Sequence, residues 1–294
     1  MPAVPFEYHL PRALTEALDV LHAHGGDAKP LAGGQSLIPM LTLRLVRPAV
    51  VVDLHPLEEL RTVRRDDGIL EIGALVRHRA LERGEGALGA CPLLAQAASL
   101  IGNVRVRTLG TIGGSLAHAD PAAELPAVVR ALDGTLVLRG LAGERVVPAQ
   151  DFFVGILTTA LQPGELLAAV RLPVLGARVG SAVEEFSRRA GDFAIVAAVA
   201  VVELDTLGRV ARARVALAGV GPTPRRLSGV ERAVVGEEPT LETFRQLLSG
   251  RPLEIEPDND IHASAAFRTH LARVLTARAL ARAATAAAGR AAGS

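Results

Sequence analysis

Residues 107–124 read RTLGTIGGSLAHADPAAE and bring three glycines together with the hydroxyl groups of Thr111 and Ser115, followed by an Asp-Pro pair and Glu124. Glycine permits positive φ angles and lets a bulky ligand approach the main chain closely. Successive exposed N–H groups in such a loop form a concave site for an anion. This stretch therefore predicts a loop that binds a phosphorylated ligand.

A second stretch, LAGGQSLIPM at residues 31–40, has similar chemistry, because it joins a glycine pair to a side-chain amide and a hydroxyl group. A chain with 29 glycines contains ordinary Gly-Gly turns, so one such stretch alone would be weak support for a site. Two stretches of matching chemistry could hold the two phosphates of a dinucleotide between them. Neither follows the Walker pattern or the Gly-x-Gly-x-x-Gly pattern of a Rossmann fold, so those standard nucleotide folds are not indicated.

The composition is that of a globular protein of near-neutral charge. Of the 294 residues, 49% are hydrophobic and 21% are charged, and 32 Lys and Arg balance 31 Asp and Glu. This length allows two or three packed units. The balanced charge and an aromatic content of only 3% argue against nucleic-acid binding and against attraction to a membrane surface.

The single cysteine, Cys91, excludes an internal disulfide and a four-cysteine zinc or iron–sulfur site within this chain. Redox chemistry would therefore need an organic cofactor or the metals of a partner. The N-terminal residues lack the basic and apolar regions of a signal peptide, and no apolar run reaches about 18 residues. We expect a cytoplasmic protein without a membrane span.

Periodicity predicts a chain of mixed helices and strands. Helical spacing of apolar residues occurs at residues 11–24, 36–47, 77–83, 92–101, 124–132 and 263–288. Strand patterns occur at residues 29–32, 49–54, 68–74, 135–140, 144–148, 165–173, 195–204 and 210–217. We expect residues 174–180 to link two domains and the low-complexity residues 287–294 to form a frayed tail.

These segments together resemble the FAD-binding subunit of the molybdenum hydroxylases, the xanthine and carbon monoxide dehydrogenase group. Residues 32–36, AGGQS, are similar to the family's first flavin loop, and residues 110–115, GTIGGS, are similar to its second. ADPAAE at residues 119–124, DFF at 151–153 and RRAGDFA at 188–194 follow in the family's order. The resemblance covers nearly the whole chain, and several ordered motifs are far more specific than one.

The resemblance implies an α+β fold with two domains. Two subdomains, about residues 1–55 and 56–175, would form a PCMH/VAO-like FAD-binding domain. Residues 176–286 would form a C-terminal α+β domain with a small antiparallel sheet, of the CO dehydrogenase flavoprotein C-terminal type.

The resemblance also implies which residues contact FAD. The glycine stretches would hold the pyrophosphate and ribityl groups, Glu124 would contact sugar or ribityl hydroxyls, and Asp192–Phe193 would approach the flavin ring. Packing in the core explains Ile101, Leu167 and Phe193 equally well, and a solvated carboxylate at a helix start explains Glu124. The expected set, with no catalytic residue and no metal ligand, is Leu31, Ala32, Gly33, Gly34, Gln35, Ser36, Leu37, Ile101, Gly110, Thr111, Ile112, Gly113, Gly114, Ser115, Asp120, Glu124, Leu167, Asp192 and Phe193.

The chain departs from the family pattern at several positions. Thr108 and Ser115 stand where asparagine is common, and Glu184 and Glu185 stand where relatives often have a lysine or arginine. A cation near the flavin would stabilise the anionic reduced form, so acids there could lower the flavin potential or change the acceptor. Arg188 or Arg189 could compensate.

By resemblance, the chain is the FAD-carrying electron-transfer subunit of a larger complex. A large molybdopterin subunit would oxidise the substrate, and a small [2Fe-2S] subunit would pass electrons to the FAD. NAD, a quinone or oxygen would receive them, and the complex would be a dimer of heterotrimers. A lone histidine beside a loop is usually structural, so neither His55 nor His118 is expected to be catalytic.

Two other interpretations remain open. One is a free-standing FAD-dependent reductase on a similar scaffold, which would need its own proton donor and substrate-binding cations. The other is a non-catalytic dinucleotide-binding module that serves assembly.

Overall fold

The computed structural model describes residues 5–292, and in this part of the chain three main sheets follow one another. The first is a parallel sheet at the N-terminus whose middle strand is the apolar run of residues 50–52, buried on both faces as parallel strands usually are. One helix covers it with four buried side chains at helical spacing. Its elements are β1 (Glu7–His9), α1 (Leu14–His24), β2 (Ala28–Leu31), α2 (Leu37–Thr42) and β3 (Val50–Asp53), with strand order β1-β3-β2.

The second sheet is antiparallel and has five strands. These are β4 (Val63–Asp66), β5 (Ile69–Gly73), β6 (Thr135–Gly140), β7 (Gly143–Pro148) and β10 (Leu166–Pro173), in the order β4-β5-β10-β6-β7. Between β5 and β6 the chain forms α3 (His78–Arg83), α4 (Pro92–Leu100), α5 (Val104–Leu109), α6 (Ile112–His118) and α7 (Glu124–Ala131). After β7 come α8 (Ala149–Phe152) and a short ribbon of β8 (Phe153–Gly155) and β9 (Thr158–Thr159).

The third sheet is antiparallel with its strands in chain order, and it is buried on both faces. Its strands are β11 (Val179–Phe186), β12 (Val196–Leu204), β13 (Val210–Ala218) and β14 (Arg225–Arg226), followed by α9 (Ser228–Ala233), α10 (Leu241–Leu248) and α11 (Ala265–Ala292). Along β12, Ala197, Val199 and Val201 join the core of the preceding domain, whereas the alternate residues join the core beneath α11. The third sheet therefore fixes the C-terminal part rigidly onto α4 and α7.

The predicted α+β architecture is confirmed, with a C-terminal antiparallel sheet after two N-terminal subdomains. The change of sheet falls between Pro173 and Val179, inside the region expected to be a linker. The expected frayed tail differs from the structure, because α11 continues to Ala292 and Ala287 is fully buried. Packing against β11 orders these residues, and Gly293 and Ser294 lie outside the described part. In the described residues, no helix has the length and apolarity needed to cross a membrane.

The packing of α11 on β11 gives a stability prediction at Gly180. A Cβ atom there would overlap the carbonyl oxygen of Ala283 and the main-chain nitrogen of Ala287, so the helix would have to move. We expect Gly180→Ala to lower the free energy of unfolding by about 1–3 kcal/mol, measured by urea denaturation. Gly289→Ala, on the same helix with open space around it, is the control and should not destabilise. An unchanged midpoint for Gly180→Ala would contradict the packing.

Candidate functional site

The first glycine segment, residues 32–36, connects the end of β2 to the start of α2 and is open for an anion. Gly34 has φ of +70°, a conformation that favours glycine. Within residues 5–292, the main-chain N–H groups of Gly34, Gln35 and Ser36 donate no hydrogen bond to the protein. The Gln35 side-chain amide donates to the Gly33 carbonyl oxygen at 3.0 Å and closes the turn. Free, neighbouring N–H groups of this kind bind phosphate.

The sequence predicts a loop at the second glycine segment, residues 110–115, but most of this segment forms the first turn of α6. Thr111 is its N-cap, and the Thr111 hydroxyl accepts a hydrogen bond from the Gly114 N–H at 3.0 Å. The N–H groups of Ile112, Gly113 and Ser115 also donate to main-chain carbonyl oxygens at 2.9–3.0 Å. The protein therefore already uses these donors, and only the first segment offers a run of free N–H groups.

The two glycine segments contact each other directly. A Cβ atom at Gly33 would overlap the carbonyl oxygen of Leu109 and lie 2.8 Å from the Cα atom of Gly110. One turn further on, a Cβ atom at Gly114 would lie 3.8 Å from the Ala32 side chain. Glycine is thus required here for close approach of two main chains, as well as for space beside a ligand.

His78, which the sequence analysis did not single out, supports the second segment from beneath. It is only 5% exposed, and its Nε2 atom donates to the Thr111 carbonyl oxygen at 2.9 Å. Burial lowers the pKa of His78 to about 4, so the ring is neutral and protonated on Nε2. A histidine in an otherwise ordinary helix start gives no sequence signal for this role, because its partner lies 33 residues away.

His55 is held by two arginine side chains at the end of β3. Its Nδ1 atom accepts hydrogen bonds from Arg61 at 3.2 Å and from Arg77 at 3.1 Å. Arg77 also donates to the carbonyl oxygen of Leu109, the same group that contacts Gly33. These residues hold the end of β3 against the second glycine segment. His118 lies in the last turn of α6.

The segments expected near the flavin ring meet across the two domains. Ile101 ends α4, and a Cβ atom at Gly191 would lie 2.8 Å from the carbonyl oxygen of the neighbouring Gly102. Asp192 and Phe193, next to Gly191, lie with Asp120 on a cleft of 590 Å³ between the domains. Phe193 is 67% exposed, so it is a surface residue and not part of the core.

Leu167 and Glu124 are both buried, but in different surroundings. Leu167 lies on β10 and is buried in the core of the FAD-binding domain, where plain packing explains it. Glu124 is the first residue of α7 and is also buried, so it is not a solvated carboxylate.

Glu124 lies next to a second acid, Glu185, which belongs to β11 of the C-terminal domain. The two carboxyl groups face each other closely enough to influence each other's pKa, and the Glu185 Oε2 atom is buried without a hydrogen-bond partner among the described residues. Burial, followed by repulsion from Glu185, raises the pKa of Glu124, and burial raises the pKa of Glu185. Glu184, on the opposite face of the strand, forms an ion pair with Arg282 of α11.

This arrangement fits a dinucleotide cofactor. Free N–H groups of the first segment can bind a pyrophosphate, and the glycine contact between the segments keeps side chains away from it. Of the expected ring contacts, Asp192 and Phe193 line the inter-domain cleft. Among residues 5–292, no group of three His, Cys, Asp or Glu is placed to bind a metal ion.

Comparison with known proteins identifies the family of both domains. A family model for the FAD binding domain in molybdopterin dehydrogenase matches residues 4–175, and one for the CO dehydrogenase flavoprotein C-terminal domain matches residues 181–283. The 6-hydroxypseudooxynicotine dehydrogenase complex subunit alpha of Paenarthrobacter nicotinovorans is 38% identical over 95% of this chain and 94% of its own length. The carbon monoxide dehydrogenase medium chain of Hydrogenophaga pseudoflava is 37% identical over 94% of this chain and 96% of its own.

Solved structures show the same fold. A chain of quinoline 2-oxidoreductase from Pseudomonas putida 86 superposes with a TM-score of 0.92 at 36% identity, covering 98% of this chain and 99% of that chain. Both domains, their order and nearly the full length are therefore shared. The chain belongs to the family of FAD-binding subunits of molybdenum hydroxylases, and FAD is its cofactor.

Proposed function

We propose that this chain is the electron-exit subunit of a molybdopterin-dependent dehydrogenase complex. Its FAD would receive electrons from [2Fe-2S] clusters of a small partner subunit, while a large molybdopterin subunit oxidises the substrate. The observation that carries this proposal is the first glycine segment with its free N–H groups, set in a chain that matches medium chains over nearly their full length. FAD can take electrons singly and release them singly or in pairs, which suits an exit point.

An exposed apolar surface beside the cofactor site supports docking of the iron–sulfur partner there. Ile38, Leu43 and Leu45 on and after α2 are 46%, 68% and 69% exposed, and Leu109 is 50% exposed. The Ile38 side chain contacts the Gly34 position and the Leu109 main chain contacts Gly33, so both residues border the first glycine segment. Exposed apolar surface is a feature of protein interfaces, and electron transfer requires a cluster close to the flavin.

The residues of this chain bind and orient the cofactor. Gly34, Gln35 and Ser36 would bind the pyrophosphate, and the residues near Ile101 and Phe193 would fix the position of the ring. We propose the remaining expected contacts, including Asp120 and Ser115, on the family pattern, whereas packing in the core accounts for Leu167. A cytoplasmic complex that is a dimer of heterotrimers completes the proposal.

The test is the visible absorption spectrum of the purified chain, alone and co-expressed with candidate molybdopterin and iron–sulfur subunits. We expect FAD to bind to the chain alone and to be reduced by a substrate of the molybdopterin subunit only in the complex. Reduction of the isolated chain by NAD(P)H with reoxidation by a small substrate would instead support a free-standing reductase. FAD that neither partner nor reductant can reduce would support an assembly module.

A further inference from the structure

The turn between α4 and α5, residues 101–103, is held by side chains and not by main-chain hydrogen bonds. Gly102 has φ of +47°, and Asn103 is the N-cap of α5. Within residues 5–292, no main-chain N–H group donates to the carbonyl oxygens of Ile101 and Gly102. Because main-chain carbonyl groups need donors, the position of this turn depends on the side chain that supplies them.

The donor is the guanidinium group of Arg107 on α5. Its Nη1 atom donates to the carbonyl oxygens of Ile101 and Gly102, both at 2.9 Å. Its Nε and Nη2 atoms donate to the two carboxylate oxygens of Glu82 on α3, at 3.0 and 3.2 Å. The side chains of Arg107 and Glu82 are 13% and 18% exposed, and Arg79 donates to the same carboxylate at 2.6 Å. The planar fork of arginine makes all these bonds at once, which fixes the turn to α3.

The C-terminal domain meets this turn at the same carbonyl oxygen of Gly102. Gly191 has φ of +86°, and a Cβ atom there would lie 2.8 Å from that oxygen. The Asp192 N–H donates to the Arg189 carbonyl oxygen at 3.0 Å, which closes the turn around Gly191. This turn of the C-terminal domain therefore rests on an atom that Arg107 holds.

We propose that Arg107 is a positioning residue for the flavin ring and that Glu82 orients Arg107 for this role. The inference rests on the proposed function, which places the ring near Ile101 and Phe193. Ile101 lies in the turn that Arg107 holds, and Phe193 follows closely after Gly191 in the turn that rests on it. One guanidinium group therefore sets the position of ring contacts from both domains.

The test variant is Arg107→Lys in the full chain, which keeps the positive charge but lacks the planar fork of donors. In the described part of the chain, none of the Arg107 side-chain hydrogen bonds reaches the first glycine segment. We therefore expect FAD affinity, measured by fluorescence titration, to change by less than about threefold. At saturating FAD, quenching of the flavin fluorescence by acrylamide, an uncharged probe of ring exposure, should rise by about twofold or more.

Arg105→Lys is the matched control, because Arg105 lies on the same helix and its side chain is exposed. This variant should change neither the FAD affinity nor the quenching. A thermal melt of both variants reports on the fold. If Arg107 had only a structural role, its replacement would lower the melting temperature and the FAD affinity without a selective rise in quenching, and that result would overturn the inference.

Gly191→Ala tests the same contact from the C-terminal domain and leaves Arg107 in place. Its Cβ atom should push the turn away from the Gly102 carbonyl oxygen and raise the quenching by about twofold or more. Gly236→Ala is the control, because Gly236 has a similar φ of +83° but nothing within 4 Å of the new Cβ atom. In the double variant Arg107→Lys/Gly191→Ala, the rise should be smaller than the product of the two single rises, because both changes act through Gly102.

Three further outcomes would overturn the inference and leave the proposed function intact. They are equal quenching in Arg107→Lys and Arg105→Lys, equal quenching in Gly191→Ala and Gly236→Ala, or independent effects in the double variant. A chain that binds no FAD would overturn the proposed function and this inference with it.

Discussion

Gly33→Ala is expected to weaken FAD binding by about 100-fold, which corresponds to ~2.7 kcal/mol. The added Cβ atom would overlap the carbonyl oxygen of Leu109, which is main chain and cannot rotate away. Arg77 and the His78–Thr111 hydrogen bond hold that main chain in place from the other side. The first glycine segment must therefore move, and its free N–H groups leave the positions from which they would bind the pyrophosphate. Flavin fluorescence titration measures the affinity.

Gly26→Ala is the matched control for Gly33→Ala. It makes the same chemical change in the turn before β2, where nothing lies within 4 Å of the new Cβ atom. It should leave FAD affinity unchanged. A thermal melt of both variants separates loss of the site from loss of the fold, because overpacking at Gly33 should cost at most about 1–3 kcal/mol of stability. Unchanged FAD affinity in Gly33→Ala would refute the close contact between the segments.

The glycine stretches were visible in the sequence, but their different roles were not. Gly33 and Gly110 belong to segments far apart in the chain, and only the fold brings them together. The second stretch looked like a loop because of its glycines. In the structure Thr111 caps a helix there, and the carbonyl oxygens of Ala74 and Val76, just after β5, accept hydrogen bonds from the N–H groups of its first turn. A threonine followed three residues later by glycine is a weak signal for a helix N-cap, because the glycines of the same stretch favour a loop instead.

Ahead of the strand at Gly68 the sequence predicts a short helix, a turn and a further strand, and the structure confirms them as a helical turn at Glu58–Arg61 and β4. The hairpin between β4 and β5 has a two-residue turn, Asp67–Gly68, with both φ angles positive, and Asp-Gly at such a position is a strong hairpin signal. The strand β12 was also predicted, because both of its faces are buried and its sequence is a continuous apolar run.

The acid pair could not be predicted at all, because no local pattern connects Glu124 to Glu185. Each acid alone reads as a surface residue near an element end. Only the packing of the third sheet against α7 buries Glu124 and brings the half-buried Glu185 beside it. Two carboxyl groups therefore face each other where the domains meet, and their contact depends on protonation.

The raised pKa of Glu124, which lies beside Glu185, makes the free energy of unfolding fall as pH rises. The pKa of Glu124 is raised from 4.5 to about 8, with Glu185 and Asp120 as the acids that face it. Between these values the folded chain binds more protons than the unfolded chain. The free energy of unfolding therefore falls as pH rises through this window, by up to about 1.4 kcal/mol per pH unit for each extra proton bound. Above the raised pKa, the contribution levels off.

Glu185→Gln should flatten this pH dependence, because the amide can still donate a hydrogen bond to Glu124 but does not ionise. We expect the variant to be close to the parent in stability at pH 5 and more stable than the parent at pH 8, by urea denaturation at several pH values. Glu256→Gln, on an exposed side chain, should leave the slope unchanged. If Glu185→Gln kept the parent's slope, the two carboxyl groups would not share a proton.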